Sequence, residues 1–291
     1  MLKINDVVKR CNLKLKKISK KGKVTLIDTD KGKYIIKKNI NDNKVFNYLN
    51  SRNFNYYPKV INNIEDYEVI EYIEDYDIPL EYKIMDMIDL VGLLHSKTTH
   101  YKETDIDDFK KIYEDINNNI LYLYEYYNDI MTLIESKIYM NPCEYFLARN
   151  ITYVYQALSY CRESIDIWYS MVKDNTRQRL VVLHNNLELN HFIKNDNSYL
   201  ISWDKSKIGI PIFDLYKLYK KHAFDFDFKE VLKKYESNYP LKDDERLLLF
   251  ILITLPDKID MSSNIYSNCT KINKLIVSLN KSKILREYYT K

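Results

Sequence analysis

Glycine is scarce in this chain, four residues in 291, and proline contributes only six. Collagen-like repeats and linker-rich architectures are therefore excluded, and long uninterrupted helices are expected. The scarcity also removes any glycine-rich phosphate loop, since only Gly22 stands between residue 10 and Gly32. The four cysteines, Cys11, Cys143, Cys161 and Cys269, lie far apart with no CxxC pair. A cysteine zinc site is not expected, and scattered thiols fit a reducing compartment. No apolar stretch approaches the roughly 20 residues of a membrane span. The longest, "LLLFILITL" at 247–255, is about half of that. The N-terminal "MLKINDVVKRCNLKLKK" has no signal-type apolar core. A soluble, cytoplasmic protein without a membrane partner is the expectation.

What is present is an ordinary globular balance, 46% hydrophobic and 30% charged, with 28 tyrosines beside abundant Asn, Lys and Ile, as an A+T-rich genome gives. The net charge of +4 conceals an asymmetry. Residues 1–38 hold thirteen Lys/Arg against three Asp/Glu, and residues 65–89 hold ten Asp/Glu against one Lys. Such segments either face one another or are solvated, or they steer a charged partner.

Two β-rich runs, 23–30 and 31–38, flank a "DTDKGK" turn in which Gly32 can take positive φ. A helix is expected over 41–52, capped by Asn41 or Asp42, and a strand at 68–73. From about residue 78 the apolar period becomes helical: Leu80, Ile84, Met87, Val91, Leu94; then Phe109 to Met131; then Val154 to Trp168. Two short β-like runs, 180–184 and 199–203, read as a strand pair inside this helical part, and helices resume after Asp214. The reading is α+β, with a β-rich lobe over 1–75 and a helical lobe over 76–291.

The polar loop between those two runs reads "HNNLELNHF": His184, Asn186 two residues on, and His191 seven on. With "YIIKK", "LVGLLHSKT", "LISWD" and "PIFDL" in order around it, the chain resembles the protein-kinase-like fold over roughly 23–220. It is most similar to the aminoglycoside/choline phosphotransferase branch, including bacterial spore-coat kinase-like proteins. That resemblance implies a two-lobed α+β fold. The branch has H-G-D, an Asn five residues later, then a strand ending I-D-W. The Asp handles the substrate hydroxyl proton, and the Asn and the strand Asp hold Mg²⁺. The lysine of the third strand contacts phosphates and pairs with a helix Glu.

By that correspondence Lys37, or Lys38 beside it, is the nucleotide-binding lysine, but residues 39–54 contain no Glu. Asn186 stands for the base, His191 for the metal-binding Asn and Ser202 for the strand Asp. An amide is no carboxylate base, imidazole suits Zn²⁺ better than Mg²⁺, and serine supplies no anionic ligand. The resemblance thus implies a pseudokinase, possessing no metal site and no required cofactor, that binds a protein or small-molecule ligand in the inter-lobe cleft, in a cytoplasmic or spore-associated setting. His184 and Asp214 are then structural, the histidine bonding nearby backbone and the aspartate capping a helix or bracing the loop. The alternative is an active ATP- and Mg²⁺-dependent small-molecule phosphotransferase in which Asp204, Asn190 or Glu188 compensates. A third reading uses Lys14, Lys16, Lys17, Lys20, Lys21 and Lys23 against an anionic surface. It ranks last because no aromatic residues interleave them, so nucleic acid is not an expected partner.

Overall fold

The computed structural model describes residues 4–22, 24–38 and 44–289. In chain order the first elements are α1 (Ile4–Arg10), β1 (Leu15–Lys21), β2 (Val24–Thr29), β3 (Gly32–Lys38), α2 (Lys44–Ser51), β4 (Val60–Ile64), β5 (Tyr67–Glu71) and α3 (Leu80–Thr98). Then follow β6 (His100–Glu103), α4 (Ile106–Glu135), α5 (Pro142–Val172), β7 (Arg177–Leu183), β8 (Phe192–Lys194), β9 (Ser198–Leu200) and β10 (Lys207–Gly209). The chain ends with α6 (Ile212–His222), α7 (Phe228–Asn238), α8 (Asp243–Thr254) and α9 (Ile265–Tyr289). Two compact units result, one from Met1–Thr98 and Val182–Ile208, the other from Thr99–Val181 and Gly209–Lys291.

The first unit is built on a five-stranded antiparallel sheet in the order β1-β2-β3-β5-β4. Its two faces follow from the period of two. Ile27, Ile36, Val69 and Ile64 point to one face and pack against Val7 and Val8 of α1, a helix the sequence reading did not anticipate. α1 is only seven residues long, so its stability comes from that packing rather than from helix propensity. The opposite face carries Ile35, Lys37, Glu68 and Ile70. The β2–β3 turn is closed at Gly32, whose φ of +129° disfavours side-chain-bearing residues, and Thr29 Oγ1 donates to Gly32 O at 2.7 Å. The proposed cap residues Asn41 and Asp42 lie outside the described residues. Residues of the basic and acidic stretches meet at Arg10–Glu65 (2.7 Å), between α1 and the β4–β5 turn, and at Lys37–Glu68 (3.6 Å) within the sheet.

One expectation needs correcting. The runs 180–184 and 199–203 do not pair with each other. β7 sits between β6 and β10, whereas β9 pairs with β8. The turn-forming Asn195–Asn197 segment closes a local hairpin at little entropic cost, with Asn195 N donating to Asn197 O. Nor does β9 run on to residue 203: Ser202 adopts φ 65°, and Trp203–Lys205 forms a single 3-10 turn. Ser202 and Asp204 therefore do not lie two apart on a strand.

The second unit is a helical body. α5 starts with a capping box: Asn141 Oδ1 accepts from Cys143 N and Glu144 N, and Glu144 Oε2 accepts from Asn141 N. The 30-residue α4 and 31-residue α5 pack along each other, and α8 and α9 cover α5. Arg179 forks onto the Glu245 carboxylate through Nε (2.9 Å) and a second, shorter contact from Nη2, and stacks over the Tyr239 ring.

Candidate functional site

The site begins with ladder register. In the β3–β5 ladder Lys37 lies directly opposite Glu68, and the period of two puts both on the face away from α1. Glu68 is buried, 3% exposed, with Lys37 Nζ 3.6 Å from its Oε2. The same Nζ lies 3.5 Å from Oδ1 of half-exposed Asp204. The ammonium thus stands between two carboxylates, at distances longer than the roughly 2.8 Å of a tight charge-assisted bond. The lysine's carboxylate partner, sought on the helix and absent there, is on the neighbouring strand. A glutamate at the second position of the strand "YEVIE", directly before the apolar pair Val69-Ile70, was the available signal.

These three residues share a cavity of about 190 Å³. Ile35, Ile70, Ile193 and Ile201 form aliphatic walls, Tyr57 and Trp203 aromatic ones, and Ser202 opens onto it. Trp203 is the keystone of an aromatic cluster: its ring centroid lies 6.2 Å from Phe54, 6.3 Å from Phe46, 6.4 Å from Tyr57 and 4.8 Å from His184. Its Nε1–H donates to Leu200 O at 2.8 Å, satisfying the one polar group a buried Trp carries. The Tyr57 hydroxyl donates to Asn50 Oδ1 at 2.5 Å, and burial raises its pKa above the ordinary phenol value.

The loop 184–191 is pinned to the segment that follows β9. His184 is fully buried, and its Nε2–H donates to Ile201 O at 2.8 Å, which fixes the tautomer at that nitrogen. Asn185 takes φ 60°, a conformation Asn tolerates better than other side-chain-bearing residues, and its Nδ2 donates to Lys205 O at 2.8 Å. His191 Nδ1–H donates to Asn186 O at 2.8 Å, and Ile201 N donates to His191 O at 2.9 Å. Asn186, Glu188, Asn190 and His191 are not among the cavity's lining residues, whereas Lys37, Ser202 and Asp204 are. Asp214 belongs to the second unit. It is fully buried in the first turn of α6, where burial first, then Tyr239 and Asp214, push the Tyr235 hydroxyl well above its ordinary pKa. Among the described residues no group of three or more His, Cys, Asp or Glu converges as a metal would need.

No protein-family model matches the chain, and no curated protein matches it in sequence. Its structure, by contrast, matches solved phosphotransferases along nearly the whole length. An aminoglycoside phosphotransferase from Alicyclobacillus acidocaldarius subsp. acidocaldarius DSM 446 superposes with a TM-score of 0.71 at 10% identity, over 99% of this chain and 96% of that one. The AMP-bound spectinomycin phosphotransferase APH(9)-Ia gives 0.54 at 10% identity, over 98% of both chains. Its complex with ADP and spectinomycin gives 0.51 at 9% identity, over 98% of this chain and 99% of that one. These likenesses establish the fold: α+β, two-lobed and protein-kinase-like, as in the aminoglycoside phosphotransferases. No helix is long and apolar enough to cross a membrane among the described residues.

ATP and Mg²⁺ are what the sequence resemblance implies, and the residue types it puts forward do not fit the metal. Mg²⁺ requires hard oxygen ligands in near-octahedral geometry, usually with one or two carboxylates. Asn186, His191 and Ser202, which the sequence resemblance puts at those positions, offer an amide, an imidazole and a hydroxyl but no carboxylate. The two carboxylates that line the cavity, Glu68 and Asp204, both lie within 4 Å of the Lys37 ammonium.

Proposed function

We propose that this protein is a non-catalytic member of the kinase fold, a pseudokinase-like protein that binds a protein or small-molecule ligand without transferring phosphate. One observation carries the reading: the positions that would supply base and metal ligands hold Asn186, His191 and Ser202, and the loop bearing the first two lies off the cavity that Lys37 lines. Losing the base together with the metal ligands costs several orders of magnitude in rate, because such groups act as a unit. What remains is a largely apolar cavity, with aromatic walls and the Lys37–Glu68 charge pair in its lining, the general form of a ligand site. Its setting on this reading is cytoplasmic or spore-associated, following the resemblance to spore-coat kinase-like proteins.

The test is thermal-shift titration with ATP in the presence and absence of Mg²⁺, beside a phosphate-release assay. The expected result is no Mg²⁺-dependent stabilisation and no turnover above an Asp204→Ala control. Turnover by the native chain that Asp204→Ala abolishes would sink the proposal. It would favour the second reading, an active phosphotransferase with displaced ligands, for which the 3.5 Å approach of Asp204 to Lys37 is the supporting observation.

A further inference from the structure

The two edges of the five-stranded sheet are treated differently. β1, at one edge, presents exposed Lys16, Lys17 and Lys20 along its length. Charged side chains, lysine above all, are the ordinary guard against edge-to-edge pairing. β4, at the other edge, reads Val60-Ile61-Asn62-Asn63-Ile64 and carries neither charge nor proline, its one guard being a bulge at Ile61. Ile61 is 55% exposed on this strand, and Asn62 and Asn63 are exposed beside it.

The backbone of β4 has hydrogen-bonding groups to offer. Ile64 pairs with Tyr67 across a two-residue turn, so that pair is bonded inward to β5. Alternation then turns the N–H and C=O of Asn63 outward. The register skips between Val60 and Asn62, which leaves Ile61 out of the β5 ladder as the extra residue of a bulge. Residues 61 and 63 are therefore the two that a further strand can bond.

The sequence of this edge is complementary to itself when run antiparallel. With Asn62 facing Asn62 of a second copy, Ile61 meets Asn63, Val60 meets Ile64, and Lys59 just outside the strand meets Glu65. Both outward-facing residues then pair with each other, apolar ends meet, and the flanking charges attract at both symmetry-related positions. Lys59 and Glu65 are exposed in the monomer, and Glu65 is joined to exposed Arg10 at 2.7 Å. Next to β4 a groove of about 660 Å³, lined by Phe46, Asn47, Asn50 and Tyr57 as well as by β4 itself, leaves room for the side chains of an added strand.

We infer that β4 is a self-association edge: two copies of this chain join their sheets by antiparallel β4–β4 pairing about a two-fold axis at Asn62. A two-fold contact of this kind is isologous, so each copy supplies both halves of every interaction. A ladder of five residues per copy is a small interface, and association is weak and concentration-dependent.

Sedimentation velocity of the full chain from about 10 µM to 1 mM tests this. The expected result is a shift from monomer to dimer within that range. Asn63→Pro removes only an outward N–H, a position where an edge strand tolerates proline, and is expected to stay monomeric while keeping its circular dichroism spectrum. Lys59→Glu is expected to raise the dissociation constant about tenfold, because two attractive contacts become repulsive. Combining it with Glu65→Lys restores the charge match and is expected to return association to within about threefold of the native value. A monomer at the highest concentration overturns the inference, as does a dimer that survives Asn63→Pro or ignores Lys59→Glu. Should Asn63→Pro unfold, the charge-swap pair decides alone.

Discussion

Replacing Lys37 by methionine removes the only cation within 4 Å of the Glu68 carboxylate among the described residues. The separation of 3.6 Å, at an effective dielectric near 20, corresponds to an attraction of about 4–5 kcal/mol. Breaking a buried pair from one side costs about 3–5 kcal/mol, since it strands the other charge. Lys37 keeps 23% of its side-chain exposure, so water reaches the pair and the lower end applies, about 3 kcal/mol. Asp204 is half exposed and contributes little to this sum. Methionine preserves most of the stem that packs among Ile35 and Ile70, so the loss is one of charge rather than of volume. The chain has two tryptophans, Trp168 in the second unit and Trp203 in the first. A Trp168→Phe background therefore makes urea unfolding followed by fluorescence a local reading of the unit that holds the pair. Lys37→Met is expected to cost about 3 kcal/mol there, and Lys37→Met combined with Glu68→Leu about 1 kcal/mol or less, because an apolar pair of similar volume replaces a buried ion pair at small cost. Additive single and double losses, with coupling below about 0.5 kcal/mol, would refute the argument that Lys37 exists in the fold to neutralise Glu68.

Ser202 holds φ at 65°, a conformation that glycine adopts freely, so Ser202→Gly is expected to raise stability by up to about 1 kcal/mol and Ser202→Val to lower it, both read as shifts in Tm. The Glu144 carboxyl is held below the usual carboxylate range, first by the Lys137 ammonium at 2.6 Å and then by the Asn141 backbone N–H. A depressed folded-state pKa adds stability above the unfolded value near 4.3, and that stability is lost as pH falls through the folded value. Acid titrations of native protein and Glu144→Gln are thus expected to differ fully at neutral pH and to converge as pH falls below the ordinary carboxylate range, while a difference that grows on acidification would contradict this sign.

The sequence by itself determined the larger outline. Apolar spacing over 80–94, 109–131 and 154–168 marks α3, α4 and α5, since a 3.6-residue period can be satisfied by a helix whatever it packs against. The "DTDKGK" turn marks the β2–β3 hairpin, because Gly32 is chemically suited to its φ. The spacing from His184 through Ser202, with its order relative to "YIIKK", was enough to suggest a kinase-like fold, and the residue types at Asn186, His191 and Ser202 are plain in one dimension. Tertiary structure alone decided three things. α1 exists because Val7 and Val8 find the sheet, which no seven-residue helix announces on its own. The runs at 180–184 and 199–203 went to different partners, because a local turn at Asn195–Asn197 closes at lower entropic cost than the longer loop between them. Finally, Lys37, Glu68 and Asp204 meet through ladder register and a left-handed kink at Ser202. Their separations of 31 and 167 residues from Lys37 carry no trace of that contact, since pairing between distant strands is set by the packing of whole faces rather than by any neighbouring residue.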